Sequence, residues 1–162
     1  MRKAGLLWWS LGAVVVLGMG IQIVPYGRAR INPPVRQEPT WSNSVTRDLA
    51  VRACYDCHSN QTVWPWYAQV APVSWLIQHD VDDGRRRLNF SEWSRPQRGT
   101  RNVARRIQRG SMPPWYYLLM HSQAKLSEAE KQALVKGLQE TVRQGSASPG
   151  KAEEQKREGK EG

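Results

Sequence analysis

Cys54-Tyr55-Asp56-Cys57-His58 is the stretch that decides how the rest of the chain is read. Its two cysteines are the only ones in 162 residues, too few for a disulfide-rich scaffold or a four-thiolate zinc site. A thioredoxin-like redox pair belongs beside a βαβ pattern, and none is present. C-x-x-C-H is the pattern of covalent haem attachment. At the end of a helix, two thiols at this spacing reach the two vinyl-derived carbons of one porphyrin, and the next residue, His58, brings an imidazole to the iron. The implied cofactor is a single haem c, with Cys54 and Cys57 as its attachment points.

Working outward, the flanking patterns are helical. Ser44 to Asp56 carries Val45, Leu49 and Ala53 at four-residue intervals, with Ser and Thr available as caps, and leads into the cysteines. Val73 to Val81 follows a proline and has Val73, Leu76, Ile77 and Val81 at helical spacing. Pro96 to Gln108 sets Val103, Ala104 and Ile107 on one face. Ser127-Glu128-Ala129-Glu130 is a capping box, followed by a Leu134, Leu138, Val142 stripe that Gly145 is expected to end. No segment alternates as a strand does. The expected fold is an all-α domain with short loops, over residues 40–144.

The ends differ in character. Residues 4–24 form a run of 21 without a charge, long enough in principle to span a bilayer, so residues 1–24 are expected to be an uncleaved transmembrane signal-anchor. Arg28, Arg30 and Arg36 outweigh Arg2 and Lys3 and favour the reverse orientation. Haem attachment occurs on the outer side of a bacterial inner membrane, and that places the amino terminus in the cytoplasm and the haem domain in the periplasm. Residues 25–39, with Pro25, Pro33, Pro34 and Pro39, read as an extended linker. Residues 145–162 lack any large apolar side chain and read as a disordered tail.

The second axial ligand must come from elsewhere in the chain. Met112 is the first candidate, because Pro113 and Pro114 disfavour helix and hold the backbone extended. His121 is the alternative, and bis-His ligation would lower the potential relative to His/Met. Met120 reads as packing and His79 as part of a solvated face. Eight tryptophans against one phenylalanine suit a porphyrin's broad faces, and Trp64, Trp66, Trp75 and Trp115 are candidates to pack against it.

Twenty-four Lys and Arg against fourteen Asp and Glu give a net charge of +10 and a pI near 10.1. Nine Arg and one Glu fall between Arg85 and Arg109, so the charge marks a face. Arg98, Arg101, Arg105 and Arg109 recur at helical spacing and form a stripe. That stripe is read as a docking face for an acidic redox partner, with anionic lipid, haem propionates or plain solvation as alternatives. Arg85-Arg86-Arg87 follows Asp82-Asp83 and is expected to pair with it. Nucleic-acid binding is disfavoured by the compartment.

The chain resembles the small bacterial haem-binding domain family related to class I cytochromes c. The resemblance rests on Cys54 to Asn60, Trp64-Pro65-Trp66-Tyr67, Ala71 to Leu76, Leu88 to Trp93 and Met112-Pro113-Pro114-Trp115-Tyr116, and covers roughly Trp41 to Arg143. It implies an all-α, cytochrome c-like helical domain around one covalent haem, with His58 proximal and Met112 distal. The arginine richness after Asp83 is a departure. The function expected is one-electron transfer by a membrane-tethered cytochrome; the alternatives are a haem-based sensor with a labile Met112 and a peroxidase-type enzyme.

Overall fold

The computed structural model describes residues 2–147, and among them seven α-helices and three short 3-10 turns form, with no strand. The helices are α1 (Arg2–Ile21), α2 (Ser44–Ala53), α3 (Tyr55–His58), α4 (Val73–Arg87), α5 (Val103–Gln108), α6 (Trp115–Met120) and α7 (Glu128–Ala147). The all-α expectation holds.

Two helix ends show how the sequence builds this frame. Asn43 caps α2, its side chain accepting from Thr46 N at 2.8 Å. At α7 the capping box closes in both directions: Ser127 N donates to Glu130 Oε2 at 2.7 Å, and Glu130 N donates to Ser127 Oγ at 3.2 Å. Helix α7 does not stop at Gly145 but runs to Ala147. A Cβ at residue 145 would lie 3.1 Å from Trp93 Nε1, so this glycine makes room for a ring instead of turning the chain. Most of the expected disordered tail lies outside the described residues.

Helices α2 and α7 cross at Gly137, where a Cβ would lie 1.8 Å from Thr46 Oγ1. Ser42 Oγ donates to Gly137 O at 3.0 Å and Ser42 N to Thr141 Oγ1 at 3.1 Å, which secures the crossing with buried hydroxyls. Leu49, Ala53, Phe90, Ile107, Leu134 and Leu138 fill the core around it. Phe90 stacks between Tyr55 and Trp93, with ring centroids 5.6 and 6.0 Å away, and Trp41 tilts against it at 5.2 Å. Two tryptophans are thus core residues.

Three expectations are corrected here. Helix α4 extends to Arg87, well past Val81. The Pro96–Gln108 helix is instead a 3-10 turn over Arg98–Asn102 followed by α5. A Cβ at Gly99 would lie 3.0 Å from Arg87 O, so this turn winds tightly against the end of α4. Finally, α1 is helical over twenty residues, but among the described residues no helix is long and apolar enough to cross a membrane. The expected single-pass anchor, and the inner-membrane and periplasmic placement that depended on it, are therefore withdrawn.

The proline-rich segment after α1 is extended and also held to the domain. Gln22 and Ala71 exchange a reciprocal pair of hydrogen bonds, both 3.0 Å. Arg36 N and Gln37 N donate to Ser91 O, and Trp93 N returns a bond to Gln37 O at 2.9 Å. Asn60 Nδ2 donates to Pro34 O at 3.0 Å. The segment is a strap across the residues that follow His58.

Candidate functional site

The C-x-x-C-H residues sit where α2 ends and α3 begins, with Cys54 the residue between the two helices. Helix α4 presses on this turn at Gly84, where a Cβ would come within 2.3 Å of Cys57 O. Only glycine permits that approach, and its result is chemical. The carbonyls of Gly84 and Leu88 lie 3.1 and 3.0 Å from His58 Nδ1. A carbonyl only accepts, so Nδ1 carries the proton and Nε2 keeps its lone pair. Among the described residues no hydrogen bond reaches Nε2, which is also absent from the buried unsatisfied atoms and is therefore open to the cleft.

That cleft is a cavity of about 270 Å³. Cys54, Cys57 and His58 line it, and so does Met112, from the Ser111–Pro114 segment between α5 and α6. Phe90, Val103 and Ile107 supply apolar wall, and Arg87, Arg98 and Arg106 reach the same cavity. Burial pushes both thiols up to about 12, so neither is poised as a thiolate for redox exchange or metal binding. Among the described residues no cluster of His, Cys, Asp and Glu could hold a metal ion. Burial also lowers the His58 imidazole, keeping it neutral and able to ligate. On the opposite trend, Tyr116 is pushed up to about 12 and Asp80 is raised, both first by burial. The Tyr116 hydroxyl donates to Asp80 Oδ2 at 2.9 Å and the Tyr117 hydroxyl to Asp56 Oδ2 at 2.7 Å, so these phenols are fixed, protonated walls.

The donor set and surroundings fit a haem. They offer a free imidazole nitrogen, a thioether sulfur, two thiols at attachment spacing and apolar faces, and guanidinium groups that can meet carboxylates. Of these, Arg98 and Arg106 are exposed and pair with no carboxylate among the described residues.

Other expected residues are placed differently. His121 lines a second, neighbouring cavity together with Trp66; it is not on the wall shared by His58 and Met112. Trp64, Trp75 and Trp115 line neither cavity; Trp64 donates from Nε1 to Asn32 Oδ1, and Trp115 is 72% exposed. Arg101, Arg105 and Arg109 are exposed away from the cavity. The stripe is broken because the 3-10 turn at Arg98–Asn102 advances three residues per turn, not 3.6. In the Arg triplet, Arg86 and Arg87 pair with Asp83, the latter at 2.7 Å. Arg85 does not. Half-buried, it donates to Ser59 O and Ile31 O at 2.8 Å, and to Asn32 Oδ1 and Thr62 Oγ1 at 2.9 Å, clamping the strap to the turn after His58.

Sequence reading also left a buried polar network without a role. Asn89 Nδ2 donates to Asn60 Oδ1, Asn60 N to Ser91 Oγ and Ser91 N to Asn89 Oδ1, each at 2.9 Å. Phe90 N donates to His58 O at 2.8 Å. The Ser59-Asn60 and Asn89-Phe90-Ser91 pairs that follow two core helices were the available signal.

An all-α domain with this cavity and donor set fits the class of haem-binding proteins. Residues 16–140 match the family model described as a haem-binding domain, and the chain belongs to that family. No curated protein and no solved structure matches the chain.

Proposed function

We propose that the chain binds one haem covalently through Cys54 and Cys57, takes His58 and Met112 as its axial pair, and carries single electrons as a cytochrome c-like protein. The observation that carries this reading is the gathering of all four residues on one cavity, with His58 held so that only Nε2 is free. When bound, the haem supplies a one-electron iron couple.

The chain's residues set the conditions for that chemistry. The Gly84 and Leu88 carbonyls hold the imidazole plane and, by accepting from Nδ1, make Nε2 a stronger donor. A thioether from Met112 favours a higher potential than a second histidine would. Phe90, Val103 and Ile107 keep water from the interior, and Arg87, Arg98 and Arg106 offset carboxylate charge at the rim. With His58 and Met112 both as ligands, a bound haem would have no open iron site, which suits electron transfer better than peroxide chemistry. The exposed Arg101, Arg105 and Arg109 extend the basic face toward an acidic redox partner.

Expression with a haem maturation system tests the reading. A pyridine haemochrome typical of two thioethers is expected, together with a sulfur-to-iron charge-transfer band that Met112→Ala abolishes and His121→Ala leaves intact. A purified chain without covalent haem under those conditions would overturn attachment. Loss of the band with His121→Ala alone would transfer the distal role to that residue.

A further inference from the structure

Beyond the wall formed by Cys57, Tyr116 and Tyr117 lies a second cavity, about 370 Å³ in volume. Neither His58 nor Met112 reaches it. Its size falls in the range of small-molecule sites. Its walls are apolar, built from Trp66, Leu76, Ile77, Val81 and Met120. Of these, Trp66, Leu76 and Met120 are 74, 45 and 63% exposed, a concentration of accessible apolar side chains that a solvated surface does not need.

Most polar groups in this cavity, the Asp56 and Asp80 carboxylates included, already hold partners. His121 stacks on Tyr117 with centroids 4.0 Å apart, and its Nδ1 lies 3.0 Å from Tyr117 O. Because that carbonyl only accepts, Nδ1 holds the proton and Nε2 is a lone-pair acceptor with no hydrogen-bond partner among the described residues. The phenol protons of Tyr116 and Tyr117 are committed to Asp80 and Asp56, and the Thr62 hydroxyl to Asp56 O at 2.7 Å. Tyr67 brings a hydroxyl that can donate or accept, so it does not select. His121 Nε2 does select: it favours an apolar ring that carries a hydroxyl proton.

We propose that the second cavity is a binding site for a small hydroxylated aromatic compound of the phenol or hydroquinone class, with its ring against Trp66 and Leu76 and its hydroxyl donated to His121 Nε2. The site shares Cys57, Tyr116 and Tyr117 with the first cavity but neither His58 nor Met112, so it rests on the reading above only in that the haem keeps to the first cavity.

Isothermal titration of the full chain, carrying its haem, with 2-naphthol and 2-methoxynaphthalene tests it, since the two probes differ by one donor proton. 2-Naphthol is expected to bind about tenfold more tightly, the worth of one hydrogen bond. His121→Phe should bring the two probes level, and Leu76→Trp, which fills the cavity from a partly exposed position, should weaken both at least tenfold. The visible spectrum should be the same in both variants. Equal affinities in the unmodified protein, or no binding of either probe at millimolar concentration, would overturn the proposal. So would binding confined to the haem-free chain, or a spectrum altered by His121→Phe, because either would assign this space to the cofactor. If haem fails to attach at all, the same titration of the chain as purified still reads the second cavity.

Discussion

Replacing Gly84 with alanine puts one methyl group into the tightest contact of the site. The new Cβ would stand 2.3 Å from Cys57 O and 2.9 Å from Cys57 C, both backbone atoms that no rotamer change can move. To reach even 3.0 Å, the least separation Cβ atoms show, α4 must withdraw from α3 and take the Gly84 carbonyl off His58 Nδ1. Overpacking of this kind costs about 1–3 kcal/mol, and the upper end applies where the obstacle is main chain. Alanine returns about 1 kcal/mol in helix propensity. The net loss is therefore about 2 kcal/mol, which for a domain of this size lowers the melting temperature by roughly 8–16 °C. Circular-dichroism melts of Gly84→Ala and of a control, Gly145→Ala, measure it. In the control the Cβ meets only the tip of the Trp93 ring at 3.1 Å, and a change within about 1 kcal/mol is expected. A Gly84→Ala protein melting at or above the unmodified temperature would refute the claim that this approach sets the position of His58.

Three further perturbations have equally definite outcomes. Arg85→Lys replaces a planar fork that reaches four oxygens with a single ammonium; the urea midpoint should fall by the equivalent of about 1–3 kcal/mol, and an unchanged midpoint would remove the clamp from the account. Gly137→Ala drives a methyl group into Thr46 Oγ1 and should destabilise by about 1–3 kcal/mol, whereas Gly137→Ala combined with Thr46→Ala should recover part of that loss in the same assay. Glu38, held below its ordinary 4.5 chiefly by the Arg47 guanidinium at 3.0 Å, contributes stability that is present above pH 4.5 and lost as the pH falls through its lowered folded value. The stability gap between the unmodified protein and Glu38→Gln should thus be flat near neutrality and close in acid, and a gap that persists at pH 2 would show that the effect is packing.

Local rules carried the sequence reading where a few neighbouring residues set the outcome. The Ser127 to Glu130 capping box closed as read because its partners lie three residues apart. The C-x-x-C-H turn was legible for the same reason. Helix α4 was cut short in the sequence because Asp82-Asp83-Gly84-Arg85 looks like a solvated break. Its continuation is set by a distant backbone, Cys57, for which Gly84 leaves room. Arg85 looked like a partner for its acidic neighbours, but its acceptors come from Ile31, Asn32, Ser59 and Thr62, remote in sequence. The arginine stripe assumed 3.6 residues per turn over a segment that winds at three.

The reciprocal bond pair between Gln22 and Ala71, with the strap that follows it, bears on how the molecule can be trimmed. A version beginning at residue 40 would omit Pro34, Arg36 and Gln37, and with them the partners of Asn60, Ser91 and Trp93. Those three would then turn unpaired donors and acceptors toward water beside the cysteines. A piece that keeps Gln22 and the strap retains these bonds, and a tag or fusion partner joined upstream of Gln22 leaves them in place beside the turn that carries Cys54 and Cys57.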